Sequence, residues 1–220
     1  MKGLKTVSVV DALTSSLRSR VLDGDIDPGF GLTETDVATE YEVSRPTAKT
    51  AISQLVQEGL LRREAHKSAQ VPTLSRADVE DLFLVRIPLE IEVVKSVIER
   101  QVVPASAGGA VQELAAVDPE AGHSVFVEAD LRFHRVLVDA VHSPRLSRLY
   151  ETLSGEIHLS MVQSRYALGR DRIVDEHGAV LAAMQRGDTD QASRLMRAHL
   201  EGARDALAEQ FDLLGTQAKS

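Results

Sequence analysis

The sequence predicts a mainly α-helical protein with two domains, a small one of three helices and a β hairpin followed by a bundle of six helices. Three observations support this prediction. Apolar residues recur at spacings of three and four through most of the chain. A basic stretch typical of two short strands follows the third helix. Proline and glycine breaks then divide residues 76–214 into six segments. We place the domains at residues 1–72 and 76–214.

The first domain has the capping and turn chemistry of two helices joined by a tight turn. Ser44 is placed to cap a helix, and Pro46 falls in the first turn of that helix, where a missing N–H costs nothing. Residues 42–43 supply the turn before it. In chain order, the pattern predicts helices over residues 9–22, 36–41 and 45–57 and strands over residues 60–65 and 68–72. Together these elements predict a winged helix-turn-helix.

Positive charge is concentrated in this domain, although the chain has a net charge of −8. Residues 45–72 contain five basic and two acidic side chains. A helix over residues 45–57 can enter a DNA major groove by its N-terminus, and the hairpin can add a contact to the DNA backbone. The candidate DNA-contacting residues are Thr35, Ser44, Arg45, Thr47, Lys49, His66 and Lys67. A protein-interaction module with merely solvated charges is the alternative, because residues 1–72 as a whole carry ten acidic and nine basic residues.

The rest of the chain predicts an all-α bundle. The breaks leave helices over residues 77–102, 105–117, 124–141, 144–163, 172–186 and 190–213. Ser75 or Asp78 can start the first of them, and Pro88 within it predicts a kink.

Four residues of the bundle have the chemistry of one divalent-metal site. Asp130 and His134 are four residues apart in a helical run, so both side chains project from one face. His177 and His199 each lie on a further helical pattern. One carboxylate and three imidazoles suit zinc, which we prefer, and also nickel, manganese or iron(II). Each histidine taken alone is more often an ordinary polar residue of a helix.

The N-terminal domain resembles the DNA-binding domain of GntR-type bacterial transcription regulators over about residues 8–72. The segments that carry the resemblance are Pro28-Gly29-Phe30-Gly31-Leu32-Thr33-Glu34, Val43-Ser44-Arg45 and Leu55-Val56-Gln57-Glu58-Gly59-Leu60-Leu61. In this chain Pro46 follows Arg45 directly, Lys49 stands where the family usually has arginine, and the hairpin tip lacks the usual glycine. Lysine keeps the charge for a phosphate contact but lacks the bidentate fork that reads guanine.

Residues 76–214 resemble the FCD domain, the ligand-sensing bundle of the FadR branch of that family. The matching motifs are Arg86 with Leu89-Glu90, Asp130 with Phe133-His134, Asp175-Glu176-His177, and Met196 with His199-Leu200. The resemblance implies that Asp130 and the three histidines bind a metal and that a small carboxylic acid binds beside it. It also places Arg86 at the cavity, where a guanidinium can clamp a carboxylate. Two alternatives stay open: a salt bridge from Arg86 to Glu90, and a metal-free pocket whose histidines bind an anion directly.

The leading functional interpretation is a ligand-responsive transcription regulator that acts as a homodimer on a pseudo-palindromic operator. A metal-dependent enzyme is a weaker alternative, because no motif such as His-Glu-x-x-His supplies a general base. A DNA-binding protein with a purely structural metal is the third class. The chain has no cysteine and no apolar run long enough for a membrane span, and its N-terminus lacks the apolar core of a signal peptide. We therefore expect a soluble, cytoplasmic protein with no membrane partner.

Overall fold

A computed structural model describes residues 8–65, 67–164 and 169–217, without the side chains of residues 216 and 217. The chain divides into two compact units, Met1–Thr73 and Leu74–Ser220. The described part is mostly helical, as predicted. Among these residues, no helix combines the length and the apolar character needed to cross a membrane.

The N-terminal unit contains a helix-turn-helix. Its described elements are α1 (Val9–Leu22), β1 (Gly31–Leu32), α2 (Glu34–Glu40), α3 (Arg45–Gln57) and β2 (Ala69–Gln70). The turn between α2 and α3 depends on Glu42, which has a positive φ of 52°. Ser44 caps α3 as predicted, since its hydroxyl accepts a hydrogen bond from the Thr47 N–H at 3.2 Å. Helix α1 packs against α3, and Leu17 of α1 and Ile52 of α3 are completely buried in the apolar core of this unit.

The small antiparallel sheet is present, but its first strand is not where the sequence predicted it. β1 pairs with β2, with Gly31 opposite Gln70, whereas Arg62 contributes only an isolated bridge to Gln70. A strand over residues 60–65 is wrong because Leu60 and Leu61 are both buried, and consecutive residues of a one-sided strand would alternate between core and solvent. A Cβ on Gly31 would lie 2.8 Å from the Ser68 hydroxyl, so a larger residue at this position would force the Ser68 side chain to move.

The C-terminal unit is a bundle of six helices over its described residues. They are α4 (Arg76–Glu99), α5 (Ala105–Ala115), α6 (His123–Ala140), α7 (Pro144–Gln163), α8 (Arg170–Gln185) and α9 (Thr189–Gln217). Each corresponds to a predicted helix, with ends shifted by a few residues at most. Ser75 begins α4 in a reciprocal capping box with Asp78. Pro88 lies inside α4 as predicted.

The core of the bundle contains polar side chains as well as apolar ones. α4 packs mainly along α9, and α6 packs against α4, α5 and α7. The buried face of α4 includes Arg86 and Glu90, and the buried face of α6 includes Asp130 and His134. Buried charged groups require partners, because transfer of an unpaired charge out of water is very costly. These buried polar residues therefore mark the candidate functional site of the bundle.

Candidate metal centre

The bundle brings the four predicted metal ligands together. Asp130 and His134 of α6, His177 of α8 and His199 of α9 are all buried, and one ligand atom from each lies within 4.8 Å of the others. The Nε2 atoms of His134 and His177 are 3.0 Å apart, and Asp130 Oδ1 is 3.4 Å from His177 Nε2. Metal–nitrogen bonds of about 2.0–2.1 Å separate neighbouring ligand atoms by roughly 2.9–3.4 Å in octahedral or tetrahedral geometry. The two observed separations fit that range.

Each histidine is oriented by a hydrogen bond on its outer nitrogen. The Nδ1–H of His134 donates to Glu90 Oε2 at 2.5 Å, and that of His177 donates to the Ile173 carbonyl at 2.7 Å. The Nδ1–H of His199 donates to Glu176 Oε2 at 2.8 Å. Placing the proton on Nδ1 leaves a lone pair on each Nε2, which is the arrangement that outer partners enforce in metal sites. Three Nε2 lone pairs therefore converge with one carboxylate.

The electrostatics of the cluster favour neutral histidine beside ionised carboxylate. Burial lowers the pKa of His177 to about 3, although the nearby Asp130 acts in the opposite direction. Burial alone would raise the pKa of Asp130, but the three histidines, His177 first, bring it below its ordinary value. A neutral imidazole and a carboxylate anion are the forms that coordinate a cation. No protonation change is needed at neutral pH to prepare these two groups.

Arg86 forms the salt bridge with Glu90 that the sequence left open as the alternative to a carboxylate clamp, and it does so in the interior of the bundle. The Arg86 Nε–H donates to Glu90 Oε1 at 2.7 Å, and Arg86 is only 2% exposed. Burial disfavours the charged guanidinium, yet Glu90, Tyr150 and Asp130 together outweigh this effect and raise the pKa of Arg86. Arg86 Nη2 and Asp130 Oδ1 have no hydrogen-bond partner among the described residues. The salt bridge thus leaves one end of the guanidinium available, so the salt bridge and a carboxylate clamp are compatible.

Sequence reasoning missed part of the surrounding network. Glu90 was considered only as a partner of Arg86, whereas it also accepts hydrogen bonds from His134 and from the Tyr150 hydroxyl, the latter at 3.1 Å. Glu176 was quoted in a motif but given no role, and it orients His199. The adjacency of Glu176 to His177 and the one-turn spacing of Glu90 from Arg86 were available signals. Nothing in the sequence pointed to Tyr150.

The N-terminal unit groups most candidate DNA-contacting residues at the start of α3. Arg45 and Lys49 are exposed, and the hydroxyls of Ser44 and Thr47 lie 2.8 Å apart at the cap. The remaining candidates are placed as follows: Thr35 is exposed in the first turn of α2, Lys67 is exposed and paired with Glu64 at 2.6 Å, and His66 lies outside the described residues.

Comparison with known proteins covers both units. Residues 10–71 match the bacterial regulatory proteins of the gntR family, and residues 81–202 match the FCD domain. The HTH-type transcriptional regulator BphR of Paraburkholderia xenovorans is 27% identical over 219 residues, covering 94% of this chain and 88% of BphR. The gluconate operon transcriptional repressor of Bacillus subtilis is 23% identical over 200 residues, covering 85% of this chain and 80% of the repressor.

The fold also occurs in a solved structure. E. coli McbR/YncC superposes with a TM-score of 0.75 over 94% of this chain and 100% of that one, at 16% identity, which supports the fold alone. Both family matches and both relatives are transcription regulators or domains of such regulators, and none is an enzyme. The helix-turn-helix of the N-terminal unit agrees with this role. The chain therefore belongs to the GntR family of bacterial DNA-binding transcription regulators, in the form that carries an FCD domain.

Proposed function

We propose that this regulator, placed in the FadR branch of its family, contains a divalent metal and responds to a small carboxylic acid. The observation that carries the proposal is a single buried cluster of three imidazoles and the carboxylate of Asp130, together with Arg86, whose charge acts on Asp130 and whose Nη2 has no partner among the described residues. Asp130, His134, His177 and His199 would hold the metal. Zinc is the preferred ion, and nickel, manganese or iron(II) suit the same donor set.

The charges of the buried groups support an anionic effector. Arg86 contributes one positive charge, whereas Glu90 and Asp130 contribute two negative charges, and His177 is neutral. A bound divalent cation would supply two further positive charges and open coordination positions. The cluster would then carry a net charge of +1 if all three histidines are neutral. A buried net charge is costly unless a counter-ion is paired with it. A carboxylate held by Arg86 beside the metal supplies that counter-ion.

On the DNA side, we propose a homodimer that binds a pseudo-palindromic operator in the cytoplasm. Two copies of α3 would enter successive major grooves about 34–36 Å apart. Arg45 and Lys49 are exposed on the first turns of α3 and support this assignment. Thr35, Ser44, Thr47, His66 and Lys67 complete the proposed contact set. The gluconate operon repressor is named for the operon of a carboxylate, which agrees with the proposed class of effector.

The decisive experiment measures operator binding as small mono- and dicarboxylates are titrated into zinc-loaded protein. A DNA site selected by the protein from a random pool serves as the operator. We expect one or more acids to change operator affinity in the wild-type protein. Arg86→Lys keeps the charge but loses the planar fork, so this variant should retain metal and operator affinity and lose the response.

Two outcomes would contradict parts of this proposal. A response of Arg86→Lys at the wild-type acid concentration would remove the clamp role of Arg86. If operator affinity changed with zinc but with none of the acids, the metal would be structural and the sensing role would be rejected. The matched control is Arg76→Lys, because Arg76 lies on the same helix but is exposed and forms its ion pairs on the surface.

A further inference from the structure

Glu90 stands between the candidate metal ligands and the candidate effector arginine. Its Oε2 accepts the Nδ1–H of His134, and its Oε1 accepts the Nε–H of Arg86 and the hydroxyl of Tyr150. All four side chains are buried. One carboxylate therefore holds a residue from each half of the proposed site.

We propose that Glu90 is a positioning residue that couples metal binding to carboxylate binding. The inference rests on the proposed function. It assigns to Glu90 the role of linking the proposed metal site to the proposed effector-binding residue Arg86. Glu90 touches neither the ligand position nor the effector position itself. It acts through His134 on one side and through Arg86 on the other.

The coupling follows from the hydrogen-bonding chemistry of an ionised carboxylate. A carboxylate anion only accepts hydrogen bonds, so Glu90 can satisfy donors from both sides at once. Burial would raise the pKa of Glu90, but His134 and Arg86 hold it far below its ordinary value, which keeps the group ionised. The bond to Oε2 fixes the proton of His134 on Nδ1 and leaves Nε2 as the donor atom for a metal.

The same carboxylate determines which part of Arg86 is available. The Arg86 Nε–H donates to Glu90, which fixes the orientation of the guanidinium. In this orientation Nη2 has no hydrogen-bond partner among the described residues. A buried N–H without a partner is costly, so a carboxylate that reaches Nη2 gains a charge-assisted hydrogen bond. Glu90 thus presents both the metal ligand and the effector-binding group.

Glu90→Gln breaks this arrangement with little change in size. The amide oxygen of glutamine can accept from Arg86 or from His134, while its NH₂ group faces the other donor. If the NH₂ group faces His134, the imidazole must move its proton to Nε2 and can no longer bind a metal through that atom. If it faces Arg86, the guanidinium turns away. The first orientation weakens metal binding and the second weakens carboxylate binding, so glutamine cannot support both functions at once.

Glu176→Gln is the matched control, because Glu176 orients His199 and forms its ion pair with Arg172 instead of Arg86. The probes are Co²⁺, whose visible spectrum reports coordination, and acetate titrated onto the Co²⁺-saturated protein. We expect both variants to bind Co²⁺ about 10–100-fold more weakly than wild type. Acetate affinity should stay within about twofold of wild type in Glu176→Gln and fall about tenfold or more in Glu90→Gln. Tyr150→Phe, which removes only one donor from Glu90, should leave both affinities near wild type.

Each outcome decides one claim. Equal acetate affinities in the two saturated glutamine variants would overturn the coupling role of Glu90 and leave the metal site standing. A wild-type protein that binds no Co²⁺ would overturn the proposed metal site and, with it, this inference. If Glu90→Gln does not fold by circular dichroism, Glu90→Asp compared with Glu176→Asp provides the same test. The shortened carboxylate keeps its charge but cannot reach both partners, so only Glu90→Asp should lose acetate affinity.

Discussion

Arg45 and Arg86 are the same residue type in two opposite settings. Arg45 lies exposed at the start of α3, whereas Arg86 is buried in α4. Water solvates Arg45 in the free protein, and DNA would have to replace that water. The chain itself must supply the partners of Arg86, and it supplies Glu90. The role of a buried polar group can therefore be inferred from the free protein, because its hydrogen-bond partners and its unpaired atoms are visible there. The role of an exposed group depends on a ligand that the free protein does not contain.

The difference extends to the two units. In the N-terminal unit the candidate DNA contacts project from a core formed by other residues, so stability and recognition can be changed separately. In the C-terminal unit the candidate ligands are part of the core. Changing them alters both packing and function, because the same side chains serve both.

The largest expected effect tests this difference on the arginines themselves. Arg86→Ala leaves Glu90 as a buried carboxylate without its cationic partner, and removal of one member of a buried pair costs about 3–5 kcal/mol. Arg45→Ala removes an exposed side chain and should change the free energy of unfolding by no more than about 0.5 kcal/mol. Thermal unfolding followed by circular dichroism measures both. Equal free energies of unfolding for Arg86→Ala and Arg45→Ala would contradict the claim that the burial of Arg86 makes it important for stability.

Metal removal should give the next largest effect. An ion that binds only the folded state, present at 100 times its dissociation constant, raises the free energy of unfolding by about 2.7 kcal/mol. For a chain of this size, chelation should therefore lower the melting temperature by roughly 5–10 °C. Arg45→Ala should show the same shift as wild type.

The double variant His134→Ala, His177→Ala provides the contrast. It should show no shift on chelation, because two of the four candidate ligands are gone. Elemental analysis measures the metal directly. Unchanged metal content in this variant would exclude the cluster as the binding site.

The sequence predicted the bundle because its helices are long and amphipathic, and their breaks contain proline or glycine. It also suggested the four ligands, since carboxylate and imidazole at helical spacing are recognisable without knowing how helices cross. The resemblance to the FCD domain strengthened the grouping of His177 and His199 with Asp130 and His134. The structure places all four within one cluster.

The parts that were missed depend on side-chain direction and on tertiary packing. The contacts of Glu90 with His134 and Tyr150 join residues 44 and 60 positions apart, and no local pattern encodes such contacts. The strand β1 has only two residues, too few to show an alternating pattern. The close approach of Gly31 to the Ser68 hydroxyl joins residues 37 positions apart, so the pairing of β1 is a tertiary contact that no local pattern encodes.

The smallest expected effects are on DNA affinity, and they separate two kinds of exposed cation. If Arg45 reads a base edge, Arg45→Ala should cost roughly 1–3 kcal/mol of operator binding and relax selectivity at one position. Lys67 is an exposed point charge, so it is suited to a phosphate contact that carries no sequence information, once it gives up its ion pair with Glu64 at 2.6 Å. Lys67→Ala should weaken binding to all sequences alike and lower the slope of log affinity against log salt by about one. Fluorescence anisotropy with the operator and with single-base variants, at several salt concentrations, measures both effects. Metal content should stay at the wild-type level in both variants, since neither residue belongs to the C-terminal unit. Full-strength, sequence-selective binding by Arg45→Ala would mean that another element reads the operator.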